Sequence, residues 1–243
     1  MYLIRKIKLL PNAIMGYDRS NPSRNGEYKF LRTLIKKDMI IVEAGAHDGT
    51  DAKFMLNLNP DIKIHCFEPA SNSFDQLIKK LSDELVQGKV VCNNLGLSNV
   101  EKEAELFIYN ELDQRNSLHL NRAHIYDPNS LHKEKIKLTT LDNYISENRI
   151  PKIDFLKLDV EGHETQAIEG ASFLIENKLI NYIQFEYNNN WEAAGNNLEN
   201  VFLKLTKYGY KFYRLAIWGK IPIRNFDRKL ENFIHSNYVA ILQ

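Results

Sequence analysis

Short apolar runs and helical stripes alternate along this chain. Ile40-Ile41-Val42 is wholly apolar and β-branched, the pattern of a strand buried on both faces. Comparable runs occur at Ile62–Phe67, Lys89–Asn93, Ile153–Asp159 and Tyr182–Tyr187. Between them lie segments with apolar residues three or four apart. Thr50–Leu58 carries Phe54 and Leu58; Ser71–Leu85 carries Phe74, Leu77, Ile78 and Leu81; Thr165–Ile175 carries Ile168, Ala171 and Ile175. Helices are also predicted at Glu27–Lys37, Leu141–Asn148 and Leu198–Tyr208, the last closed by Gly209. Strand, helix, strand in this order predicts an α/β fold with a largely parallel sheet. The rhythm breaks between residues 101 and 141, where strand-like Glu105–Tyr109 and Ile136–Thr140 flank a polar stretch, Asn110–Lys135. Tyr210–Ala216 and Asn237–Leu242 follow without a clear helix between them, so they should pair antiparallel.

The chemistry gathers where these strands end. After the first strand comes Glu43-Ala-Gly45-Ala-His-Asp-Gly49, then a helix: the layout of a nucleotide site at the carboxyl end of a sheet. It lacks the Gly-x-Gly-x-x-Gly that cradles a pyrophosphate, and an acid before the glycines would repel phosphate. It suits a ligand with positive charge, such as the amino group of a methionine moiety. Glu68, 25 residues further on, ends the second strand, where an acceptor-only carboxylate can take both hydroxyls of a ribose. Asn94–Ser98 forms a small turn against which an adenine could lie. The strand from Ile153 runs into Asp159, Glu161, His163 and Glu164, four polar groups within six residues. Acids at a helix entry also complement its dipole, which suffices for Glu164 but explains Asp159 and Glu161 less well.

Composition narrows the partners. The chain has 243 residues, 44% hydrophobic and 26% charged, one sizeable domain or a domain with a small extension. A formal charge of +1 gives no global case for nucleic acid. Cys66 and Cys92 sit in strand-like runs and read as buried free thiols of a reducing, cytoplasmic setting. Met1–Leu10 is too short and too charged to span a membrane; it reads as an amphipathic segment that packs on the domain or touches a membrane surface peripherally. Residues 1–39 form an N-terminal helical extension and 40–243 the main domain. A homo-oligomer is compatible with the sequence.

Taken together, Glu43-x-Gly-Ala-x-x-Gly49, Phe67-Glu-Pro69, Leu138-Thr-Thr-Leu-Asp142, Asp154-Phe-Leu-Lys-Leu-Asp-Val-Glu-Gly-His-Glu164 and Ile168-Glu-Gly-Ala171 resemble the FkbM family of S-adenosylmethionine-dependent methyltransferases over roughly residues 40–215. Glu43 stands where that family commonly has Asp. The resemblance implies a class I methyltransferase (Rossmann-like) three-layer sandwich with a seven-stranded, mostly parallel sheet and an antiparallel last strand. It implies O-methylation of a sugar or glycoconjugate hydroxyl. It places Glu43, Gly45, Ala46 and Gly49 around the methionine portion, Glu68 at the ribose, and Leu97 and Ser98 at the adenine, with Asp48, Pro69 and Asp159 also in the cofactor site.

Methyl transfer from a sulfonium needs alignment of the acceptor oxygen and removal of its proton. The candidates for the base are Glu161 and His163, with Asp159 beside them. Asp159 and Glu186 end neighbouring strands and could share a divalent cation, with oxygen ligands favouring Mg2+ over zinc. Tyr187 and Trp191 read either as a platform for a sugar ring or as packing at the sheet edge. Asn110–Lys135, with Arg115, Asn116, Ser117, His119, Arg122, His124 and His132, reads as an acceptor-binding lid or a plain surface loop. Three other activities remain open: a nicotinamide oxidoreductase, a non-catalytic module of the same fold, and an RNA methyltransferase.

Overall fold

The computed structural model describes residues 21–109, 116–121, 125 and 131–243. The Met1–Leu10 segment, Arg115, Arg122 and His124 lie outside these.

Eight strands form the main sheet: β1 (Ile40–Ala44), β2 (Lys63–Phe67), β3 (Val90–Asn93), β7 (Ile153–Leu158), β8 (Ile180–Tyr187), β9 (Tyr210–Ala216), β10 (Gly219–Ile223) and β11 (Ser236–Leu242). Their order is β10-β9-β11-β8-β7-β1-β2-β3. The five strands from β8 to the β3 edge run parallel, and β11 inserts antiparallel between β8 and β9. The antiparallel terminal pair is thus as expected. The sheet has one strand more than the seven expected. The extra strand, β10, returns from β9 through a tight hairpin, and Pro222 suits it only to an edge. A second sheet, β4-β6-β5, is built from β4 (Gly96–Leu97), β5 (Lys102–Ile108) and β6 (His132–Thr139). Here the predicted αβ rhythm gives way, because Ala104, Leu106, Ile108, Ile136 and Leu138 alternate inward and close a small apolar cluster of their own.

Two large cores lie on the two faces of the main sheet. One holds Val42, Leu156, Leu158, Phe185 and Tyr238 with the helices of the second half. The other holds Ile41, Ile64, Phe155 and Val239 with the helices Glu27–Leu34, Thr50–Leu58 and Ser71–Lys80. Thr50–Leu58 has the bounds expected of it, whereas Ser71–Leu85 and Thr165–Ile175 are each broken into two short helices. Cys66 and Cys92 are free and face each other as register partners on β2 and β3.

Candidate active site

The carboxyl ends of β1, β2 and β7 converge on one cleft. Gly45 turns the chain out of β1 at φ +77°, and a Cβ there would lie 1.7 Å from the Asp159 carbonyl oxygen. The glycine is therefore demanded by the pressing of the β1 turn onto the end of β7. Glu68, 6% exposed, accepts hydrogen bonds from the backbone amides of His47 (2.8 Å) and Ala70 (2.9 Å). Burial pushes its carboxyl up to about 7 against those two bonds. The cleft is open to solvent, and about 590 Å³ of empty space lies within it and before its mouth.

Its walls include Gly45, Glu68, Pro69, Leu97, Asp159, Glu161 and His163. These predicted site residues are brought together. Ala46, Asp48, Gly49 and Ser98 stand behind the wall. Asp48 instead pairs with Lys80, and Ser98 donates or accepts at His163. Glu43 is also behind it, 1% exposed, beneath the turn. Glu186 is nearby, and oxygens of Asp159, Glu161 and Glu186 lie within 4.8 Å of one another.

Each acid in this group has a different local cause. Glu161 sits in the left-handed region at φ +51°, a strained position for a residue with a side chain. Asn188 and Asn190 donate to its Oε2 at 3.3 and 2.5 Å. Burial, with the like charges of Glu186 and Asp159, raises its carboxyl well above the ordinary range. Burial and Glu186 raise Asp159 to about 8; its side chain is still 38% open, so the neighbouring charge is the firmer cause. Burial would raise Glu186 too, but the hydrogen bond and charge of His235 hold it below the usual carboxylate range. Glu164 is fully turned back: its oxygens accept from the amides of Val160 (2.9 Å) and Gly162 (3.0 Å), and so fix the loop that carries Glu161.

Two groups that the sequence did not reveal carry much of this site, and a third falls in the Asn110–Lys135 stretch read as an acceptor-binding lid or a plain surface loop. Lys157, the β7 register partner of Glu43, lies buried with its Nζ 3.0 Å from Asp51, 3.4 Å from Asp159, 3.4 Å from Glu27 and 4.0 Å from Glu43. A lysine inside an apolar strand run is the signal that could have marked it. His47 lines the cleft; both of its ring nitrogens are buried without a hydrogen-bond partner, and Nδ1 lies 3.8 Å from the Asp48 carboxylate. The segment Asn116–Asn121 is the third. Ser117 donates to the Glu161 carbonyl (2.6 Å), His119 Nε2 meets His163 Nδ1 (3.1 Å), and Asn121 donates to Asn190 (2.6 Å). Asn116 and Leu118 thereby join the wall.

Tyr187 and Trp191 form no platform. Both are 0% exposed, stacked among Phe185, Phe233 and Tyr238, and the Trp191 ring N–H donates to the Glu186 carbonyl. Their flat faces are spent on the core.

A sheet of this order with a cleft at its carboxyl edge, an acid at the end of β2 and no pyrophosphate loop defines the class I S-adenosylmethionine-dependent methyltransferases. The comparisons agree. Residues 43–212 match the methyltransferase FkbM domain, and the chain belongs to that family. It is 23% identical over 181 residues to the 2-O-methyltransferase NoeI of Sinorhizobium fredii, covering 70% of this chain and 72% of that protein. It is 23% identical to the hexuronic acid methyltransferase AglP of Haloferax volcanii, over 66% of this chain and 62% of AglP. Among solved structures, a protein from Streptococcus mutans described as a methyltransferase, in complex with S-adenosylhomocysteine, shares the fold with a TM-score of 0.50. It is 11% identical, covering 88% of this chain and 94% of that one. The chain is accordingly a methyltransferase, and no described helix is long and apolar enough to cross a membrane.

Proposed function

We propose that this methyltransferase acts on a hydroxyl of a sugar or glycoconjugate, with Glu161 as the base that accepts the hydroxyl proton. The sugar class is carried over from the named activities of NoeI and AglP. The observation that carries the chemistry is the Glu161 carboxylate: raised in proton affinity, fixed by two asparagine amides, held on a strained turn and facing the same cleft as Glu68. A carboxyl raised in this way is a stronger base once ionised. His163 is the weaker candidate. Burial and the neighbouring His119 press its pKa down to about 3, and both ring nitrogens are engaged, by Ser98 at 2.9 Å and His119 at 3.1 Å. It serves better as the pin that holds Asn116–Asn121 against the site.

The bound donor supplies a methyl already activated by its sulfonium. Around it, Glu68 and His47 are the polar side chains of the cleft wall nearest the β1 turn, and Gly45, Pro69 and Leu97 line it beside them. Asp159 stands at the rim between Lys157 and Glu186, where its charge, once ionised, favours a cationic ligand. Asn116 and Leu118 face the cleft from the inserted sheet and are the residues best placed to meet an acceptor.

A Mg2+ ion is a second reading of Asp159, Glu161 and Glu186. Three carboxylates in reach of one another suit it. Against it, His235 already engages Glu186 and two amides already engage Glu161. Turnover that survives exhaustive chelation assigns the proton transfer to Glu161 alone; turnover abolished by chelator and restored by Mg2+ assigns the trio to the metal. The unbridged Cys66–Cys92 neighbours fit a reducing, cytoplasmic setting.

The test is methyl transfer from labelled S-adenosylmethionine to a panel of sugar acceptors. Glu161→Gln should keep donor affinity and lower kcat about 10²–10⁴-fold. Donor binding without transfer to any acceptor, by the unaltered protein, would favour a non-catalytic module.

A further inference from the structure

Glu27 precedes the family-matched residues 43–212, yet its side chain is buried at 6% exposure inside the donor end of the sheet. It is held there from every side. The Asn25 side chain accepts from its amide (2.9 Å), Gln184 on β8 donates to Oε1 (2.9 Å), and Asn237 on β11 approaches Oε2 (3.5 Å). The same Oε1 lies 3.4 Å from Lys157 Nζ. Lys157 is flanked in register by Glu43 on β1 and Gln184 on β8, so Glu43, Lys157 and Gln184 form one polar row across three strands. The helix Glu27–Leu34 covers that row and is docked by Tyr28, which donates to Asp51 (2.9 Å) and stacks on Phe54 at 3.8 Å.

We propose that Glu27 is a positioning residue of the methyl-donor site: it competes with Glu43 for the Lys157 ammonium and so sets how much negative charge lies under the Gly45 turn. The inference rests on the reading that S-adenosylmethionine binds at that turn. One ammonium cannot fully neutralise several carboxylates in a medium of low dielectric, so each added charge makes the next harder to form. Glu43 faces Lys157 and Asp159 from β7, Asp51 from the helix after the turn, Glu27 from the N-terminal helix and the Cys66 thiol from β2. Burial raises the Glu27 carboxyl, Lys157 opposes the rise and holds a charge there, and Asp51 and Glu186 add to it; His235 acts on it from the approach to β11. Burial raises Glu43 to about 8, Lys157 opposes this, and the Glu27 charge adds to the rise. Ionised Glu43 favours a cationic ligand above it. Donor affinity should therefore increase as pH rises through Glu43's range, and removal of the Glu27 charge should move that increase to lower pH.

The experiment is titration of the whole protein with S-adenosylmethionine from pH 6 to pH 9, for the unaltered chain and for Glu27→Gln, with thermal unfolding of both. The ligand's own amine titrates identically in the two series, so their difference isolates the protein. The expected result is a midpoint shifted down by about half a pH unit or more, which is about threefold tighter binding near pH 7 for the variant. Coincident profiles overturn the inference even if Glu27→Gln melts earlier, since a purely structural role lowers stability without moving the midpoint. If Glu27→Gln does not fold, Glu27→Asp retains the charge but withdraws it from Lys157. A smaller shift in the same direction is then expected, and coincidence again refutes the proposal. An unaltered protein that binds no donor at any pH defeats the donor-site reading instead.

Discussion

Gly170→Ala separates two consequences of one methyl group. Gly170 ends the helix Glu164–Glu169 at φ −70° and ψ −3°, a conformation alanine adopts freely. On backbone grounds alone the change should stabilise the protein by about 0.4–1 kcal/mol, through the unfolded chain. The packing says the reverse. A Cβ there would lie 1.9 Å from the Ser98 carbonyl oxygen, 2.9 Å from its carbon and 3.3 Å from the Asn99 Cα. Ordinary contact begins near 3.5 Å, so helix and loop must part by about 1.5 Å. Both sides are backbone, and neither can move as a rotamer does. The helix is further held through its Gly170 carbonyl, which accepts from the Asp142 amide at 2.9 Å. Overpacking of this kind costs about 1–3 kcal/mol, and two rigid walls put this site at about 3. For a domain of this size that corresponds to a Tm lower by about 6–12 °C. The displaced loop also carries Ser98, so its 2.9 Å bond to His163 should be lost and donor affinity should fall with it. Thermal unfolding and donor titration on the same variant measure both. A Tm equal to or above that of the unaltered protein would refute the close approach as the reason for glycine in Ile168-Glu-Gly-Ala171.

Two further outcomes follow from the same region. The His235–Glu186 pair raises the imidazole from 6.5 to about 8, the bond and charge of Glu186 outweighing burial. A raised histidine contributes stability that is full below about pH 6.5 and lost as pH climbs through 8. The Tm of the unaltered protein should therefore drop between those values, and His235→Gln should flatten the drop; parallel curves would dismiss the pair as a source of stability. Trp191→Ala removes a fully buried ring stacked on Phe185 and edge-on to Tyr187. It should cost about 3–5 kcal/mol in denaturant unfolding, and any loss of acceptor binding should track the unfolded fraction.

Where the chain was legible, the cause is local. β1, β7 and β8 announce themselves because burial on both faces leaves mostly apolar residues, and Glu43, Glu68 and Asp159 because they interrupt or end such runs. The antiparallel β11 follows from the missing helix between it and β9. The less legible parts depend on contacts distant in sequence. Lys157 looks like one polar residue in a strand until Glu27, 130 positions earlier, is folded against it. His119 and His163 are 44 residues apart and meet only because the inserted sheet folds back on the β7 turn. Tyr187 and Trp191 fit a sugar platform by residue type. Only the packing of Phe233 and Tyr238 on Tyr187, and of Phe185 on Trp191, reveals that no face is left to offer.

The run Lys157-Leu-Asp-Val-Glu-Gly-His-Glu164 is best understood as one charge device spread over a strand end. In β7 the side chains alternate faces, so Lys157 points into the polar row under the turn while Leu158 enters the core. At Asp159 the strand ends, and the carboxylate reaches both the lysine beneath and the cleft above. The chain then turns through Glu161 and Gly162, at φ +51° and +94°, which swings the Glu161 carboxylate toward Asn188, Asn190 and the cleft. Glu164 returns to bind the two amides this turn leaves exposed, and His163 binds the inserted sheet. The four acidic or basic groups at 159, 161, 163 and 164 thus have separate tasks, because the backbone direction changes between them. Exchanging Asp159 and Glu161 would preserve composition and net charge yet move the longer side chain to the rim and the shorter one onto the turn. The arrangement therefore depends on where each carboxylate is delivered, and the spacing of the run is the part of the sequence that encodes it.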